Sequence, residues 1–167
     1  RPMATVVAQG SNLVAYEEQI GTFNADVRLD SRDLVLSNLV IDKPQPEGAG
    51  KLTASGTYNL DRETYKVDLK SDNLRLVNLT LPGGQHLRGA VQIAGNGEGT
   101  VSSPAGTVDV NATDLTLDEM QFGNVTAKAV AADNQATITT SADRFNLDAN
   151  ALVGLTKPFP ATVKVRA

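Results

Sequence analysis

Apolar and polar side chains alternate with a period of two through nearly all of this chain, and any fold has to satisfy that alternation. Val27-Leu29, Tyr65-Val67-Leu69, Val91-Ile93, Val108-Val110 and Val163-Val165 all stand at alternate positions. Successive side chains of an extended strand point to opposite faces, so each such segment acquires one apolar and one polar face. A helix needs apolar residues at i, i+3, i+4 and i+7, and no long stretch supplies them. Gly, Asn, Asp and Pro also recur too often for one to develop. The expectation is an all-β chain running as an antiparallel meander.

A longer period lies on top of the short one. Ala25–Leu39 and Tyr65–Leu79 align without a gap, forty positions apart, with seven of fifteen residues identical: Val27/Val67, Leu29/Leu69, Ser31/Ser71, Leu34/Leu74, Leu36/Leu76, Asn38/Asn78 and Leu39/Leu79. A third copy spans Thr107–Met120, and a weaker fourth spans Thr137–Leu147. Such spacing fits a stack of supersecondary units better than one closed core. Residues 1–167 therefore read as a single repetitive segment of a longer chain, an elongated curved sheet or groove of taco-like or solenoid-like form.

Within the copies the apolar phase slips across Asp30–Asp33 and across Lys70–Asn73, which predicts a tight turn or a bulged corner at each. Lys43–Gly48 and Pro82-Gly83-Gly84 read as loops, and Asn59–Glu63 and Ala132–Gln135 as hairpin ends. Gly10, Gly21, Gly56, Gly89, Gly95, Gly106 and Gly123 are expected to flank strands.

Composition sets the thickness of whatever interior forms. The chain is 41% hydrophobic but 4% aromatic, with no Trp, so the interior should be thin and made of Val, Leu, Ile and Ala. A net charge of −4 has the wrong sign for a footprint on nucleic acid or anionic lipid headgroups. No run approaches the roughly 18 apolar residues of a membrane-spanning helix. Arg1-Pro2-Met3 does not read as a signal peptide, so any anchor or export signal is expected outside this segment. Absence of Cys removes disulfide and thiolate chemistry.

Candidate chemistry is sparse. His86, the one histidine, is expected as a solvated loop residue, with no nucleophile or metal partner defined by the sequence. Gly95-Asn96-Gly97-Glu98-Gly99 resembles a phosphate loop but opens no helix, and reads as a turn between strands. Asp61, Glu63, Asp114, Asp118, Glu119, Asp143 and Asp148 look exposed, whereas catalytic carboxylates need burial or close pairing. No calcium-loop pattern occurs. The expectation is a protein that is not an enzyme and has no catalytic residues, metal or cofactor.

The remaining feature is the apolar stripe. Val27, Leu29, Leu34, Leu36, Val67, Leu69, Leu74, Leu76, Val108, Val110, Leu115, Leu117, Ile138, Phe145 and Leu147 are expected to gather on one water-avoiding strip. That strip is either the closed core of a structural or adhesive β-solenoid, or the lining of an open groove for acyl chains. An unpaired charge in a groove lining would cost several kcal/mol, and these positions carry none. A carbohydrate-active reading is weaker, because sugar sites favour exposed aromatic platforms and the chain has only three Tyr and four Phe.

The recurring Val-x-Leu/Val-x-Ser/Ala-x-Asp/Asn-Leu-x-Leu pattern, Gly97-Glu98-Gly99-Thr100, Pro104–Val110 and the closing Pro158–Val163 resemble the TamB family, from about Gly21 onward. That family is similar to the AsmA-like, repeating β-groove proteins of the bacterial envelope. The resemblance implies a periplasmic protein anchored to the inner membrane through a segment outside this chain. It also implies a taco-shaped sheet that conveys phospholipid between inner and outer membranes, with an outer-membrane β-barrel of the TamA type as partner and a role in outer-membrane biogenesis. It carries over no catalytic residue, and no nucleic acid partner is expected.

Overall fold

The computed structural model describes residues 3–43 and 49–167. The strands are β1 (Met3–Ala15), β2 (Glu18–Asp30), β3 (Asp33–Lys43), β4 (Gly50–Asn59), β5 (Thr64–Ser71) and β6 (Leu74–Thr80), then β7 (His86–Thr100), β8 (Ser103–Leu117), β9 (Met120–Ala132), β10 (Gln135–Ala142), β11 (Leu147–Gly154) and β12 (Ala161–Arg166). A single 3-10 turn, Asp143–Phe145, interrupts the strands between β10 and β11. All twelve belong to one antiparallel sheet whose order follows the chain, except that β6 lies off the path and pairs with β7. Among the described residues no pairing joins β1 to β12, so the sheet is not closed into a barrel.

Short turns enforce that order, because a two-residue connection leaves a strand no neighbour other than the one it has just left. Asp133-Asn134 joins β9 to β10 with φ of 50° and 58°, the positive values that this hairpin geometry demands and that Asp and Asn tolerate. The longer Leu60–Glu63 turn is tied by the Asn59 carboxamide, whose Oδ1 accepts from the amides of Asp61 and Arg62 at 3.2 and 2.8 Å. Pro82-Gly83-Gly84 lies in the connection from β6 to β7. The loop expected from Lys43 begins where β3 ends, and residues 44–48 lie outside the described residues.

The two best-matched copies take different paths. In Ala25–Leu39 the polar step becomes the Ser31-Arg32 hairpin turn, with Asp30 opposite Asp33. In Tyr65–Leu79 the step at Ser71–Asn73 is a corner, after which β6 continues in the direction of β5 and both pair with β7. Either route returns the apolar positions to the same face.

Several glycines stand inside strands, not at their ends. Gly95, Gly97 and Gly99 lie within β7, so Gly95–Gly99 is neither a phosphate loop nor a turn. Gly10, Gly21, Gly56, Gly89, Gly106 and Gly123 are likewise within strands. Close approach is the reason. A Cβ on Gly97 would sit 3.3 Å from Val67 Cγ1 and 3.4 Å from Tyr65 Cε2, and one on Gly56 would sit 2.6 Å from the Lys66 carbonyl. Neighbouring atoms crowd these positions, so a larger residue would force them to shift.

Candidate functional site

Cross-strand partners in an antiparallel pair share a face, so the register can be followed across the whole sheet. One row runs Val6, Val27, Leu36, Gly56, Val67, Gly97, Gly106, Ala131, Ala136, Val153, Ala161. The next row on that face runs Ala8, Ala25, Leu39, Ala54, Leu69, Gly95, Val108, Ala129, Ile138, Ala151, Val163. Neither row contains a polar side chain. Beside the second row, on the opposite face, a third row runs Gln9, Asn24, Val40, Thr53, Lys70, Ala94, Asp109, Lys128, Thr139, Asn150 and Lys164, polar at every strand except β3 and β7. The sheet is therefore amphipathic along most of its main path.

The remaining candidate residues extend the apolar rows. Leu29 pairs with Leu34, Leu74 lies opposite Val91, and Leu76 lies opposite Gly89. Val110 lies opposite Ile93, Leu115 opposite Gly123, Leu117 opposite Leu87, and Leu147 opposite Ala142. Phe145 departs from the expectation: it sits in the 3-10 turn, where its ring meets Phe122 edge-on at 5.5 Å. The one-residue slip at that corner takes it out of the strand alternation. Sequence reasoning passed over the alanines and glycines of these rows because small side chains give a weak hydropathy signal.

Burial is uneven along the apolar face. The turns Tyr16-Glu17 and Asp118-Glu119, strand β6 and the 3-10 turn all lie at one end of the sheet, here the near end; Ser31-Arg32, Leu60–Glu63, Val101-Ser102 and Asp133-Asn134 lie at the far end. The buried apolar residues Val91, Ala112 and Ala142 form one continuous row toward the near end, together with Val125. Farther along, Val67 and Val108 sit on interior strands yet remain 38% and 39% exposed, because no second layer covers them. The apolar face is thus a trough, covered toward the near end and open toward the far end.

The near end is closed by polar groups. Glu18, 1% exposed, and Lys43, 5% exposed, form a buried ion pair. The same carboxylate accepts from the backbone amides of Val77 at 3.1 Å and Asn78 at 2.7 Å, where a register shift in β6 leaves them unpaired. Thr80 N donates to Tyr16 O at 2.8 Å, and Thr80 Oγ1 donates to Glu17 Oε2 at 2.7 Å. Along the sheet's pairing path β3, β4, β5 and β7 lie between β2 and β6, so this meeting shows the sheet curling. Nothing in the sequence pattern marks Glu18, because its partners lie 25, 59 and 60 positions away.

His86 is not a loop residue. It opens β7, opposite Thr80, with its Nδ1 3.2 Å from Thr80 Oγ1 and its amide donating to Asp118 Oδ1. Asp61, Glu63, Asp114, Asp118, Glu119, Asp143 and Asp148 are all exposed. Among the described residues, no group of His, Asp and Glu is placed to hold a metal ion. Among the described residues, no helix is long and apolar enough to cross a membrane. The outer face carries a shallow depression lined by Asp109, Lys128, Asp148, Lys164 and Arg166, where Lys128 and Asp109 approach to 3.7 Å, both about half exposed. Mixed, hydrated charges of this kind select little. Comparison with family models, with curated proteins and with solved structures gave no match.

Proposed function

We propose that this chain is a non-enzymatic β-trough segment that holds phospholipid acyl chains on its apolar face. Within a longer envelope protein it would convey phospholipid between the inner and outer membranes. The observation carrying this reading is the exposure of Val67 and Val108 at the centre of two apolar rows that cross the sheet. A contiguous apolar surface of that extent is unfavourable in water, and an occupant relieves it. Each methylene of an acyl chain laid there is worth about 0.8 kcal/mol, and no charged side chain stands in either row to oppose it. The same exposure counts against a closed solenoid core.

The TamB resemblance supplies the wider setting: a bacterial periplasmic location, an inner-membrane anchor outside this chain, and an outer-membrane β-barrel partner of the TamA type in outer-membrane biogenesis. No cofactor, metal or nucleic acid enters the reading.

Native mass spectrometry after gentle extraction tests it. The chain should retain phospholipid, and the Val67→Asp/Val108→Asp double variant should retain at least tenfold less while keeping its β circular-dichroism signature. A lipid-free chain in the presence of supplied phospholipid, or equal retention by the variant, would sink the proposal.

A further inference from the structure

The groups that close the near end of the trough are unusual ones for a permanent seal. Three consecutive residues at the β1–β2 junction, Tyr16 and Glu17 of the turn and Glu18 opening β2, each give an acceptor to β6: Tyr16 through its carbonyl, Glu17 and Glu18 through their carboxylates. The turn itself is unfavourable. Tyr16 and Glu17 hold φ of 52° and 64°, values that a two-residue hairpin requires but that Asn and Gly adopt far more readily. Docking on β6 therefore sustains the turn conformation. Polar groups also make the contact cheap to undo. A buried ion pair gains little net stability, because its mutual attraction is offset by the hydration both ions lost. Lys43 ends β3 and Glu18 opens β2, so parting the turn from β6 lets water back to both ions without having to break their pairing, whereas parting an apolar seam would gain no hydration.

We infer that the Tyr16–Glu18 turn is a latch, closing the near end of the trough against β6 and opening as a local unit to let an acyl chain pass. This rests on the acyl-carrying reading for what passes, though not for whether the latch opens.

Hydrogen exchange on the intact chain tests the opening. The amides of Val77, Asn78 and Thr80 should exchange at least a hundredfold faster than the slowest amides of β8 and β9. Passage is tested with a Glu17→Cys/Thr80→Cys variant, whose thiols are the only ones in the chain. Closing them with a short bifunctional maleimide should suppress the local exchange and slow uptake of a fluorescent phospholipid from vesicles at least tenfold relative to the uncross-linked form. The latch is overturned if those three amides exchange no faster than the slowest set, or if cross-linked and free forms both take up the probe and do so at one rate. Fast local exchange, abolished by the cross-link, in a chain that takes up no probe in either form would uphold the latch and remove the acyl-carrying reading instead.

Discussion

Replacing Val108 by Asp separates an open trough from a closed core, with Val91→Asp as the internal reference. Both valines point to the apolar face from interior strands, and they differ in cover: Val108 is 39% exposed and Val91 is 9% exposed. Full burial of a valine side chain is worth about 1.5–3 kcal/mol, so losing the three-fifths that Val108 buries costs about 1–2 kcal/mol. Aspartate is a poor strand former, which adds up to about 1 kcal/mol. Its carboxylate stays hydrated, since the flanking partners on this row are Gly95 and Ala129 and nothing lies above them. The total is about 1–3 kcal/mol.

At Val91 the whole burial term is lost, and a carboxylate must also enter a covered site beside Ala112, which costs several kcal/mol more. A typical domain has about 5–15 kcal/mol in all, so Val91→Asp should leave little folded protein. Urea titration followed by circular dichroism reads the difference. With a mid-range slope of about 2 kcal/mol per molar urea, Val108→Asp should lower the midpoint by about 1 M and still unfold cooperatively. Equal losses at the two positions would mean that Val108 is covered in solution, and the trough argument would fail.

Three further outcomes follow from the same geometry. Glu18→Gln should destabilise by about 3–5 kcal/mol, because Lys43 is left buried without its counter-charge, and adding Lys43→Met should recover at least half of the loss in the urea midpoint. Gly56→Ala should cost about 1–3 kcal/mol, since its new methyl meets the Lys66 carbonyl at 2.6 Å, whereas Gly97→Ala should cost less because it meets chiefly side chains at 3.3–3.4 Å; melting temperatures of the pair check the order. Val163→Lys on the exposed edge strand β12 should change stability by less than about 0.5 kcal/mol yet reduce self-association in sedimentation velocity, as a charge blunts an open edge.

The amino-acid sequence by itself determined the class of fold and the division of side chains between two faces. Alternation is a local property: once Val67 and Leu69 point one way, Lys66, Asp68 and Lys70 must point the other, whatever strand lies alongside. Turn chemistry is local as well, which is why Ala132–Gln135 and Asn59–Glu63 were legible as hairpin ends. Partner choice is not local, and only the tertiary structure decided it. Two copies with the same apolar pattern and seven of fifteen residues in common make a hairpin at Ser31-Arg32 and a continuing corner at Ser71–Asn73, because the second copy has β7 along both of its halves. Alternation says which face a residue occupies but not what covers that face, so the openness at Val108, the cover over Val91 and the burial of Glu18 against β6 come from how far the sheet curls. That curl accumulates from bulges and bare glycines over many strands, and no single stretch of the chain contains it.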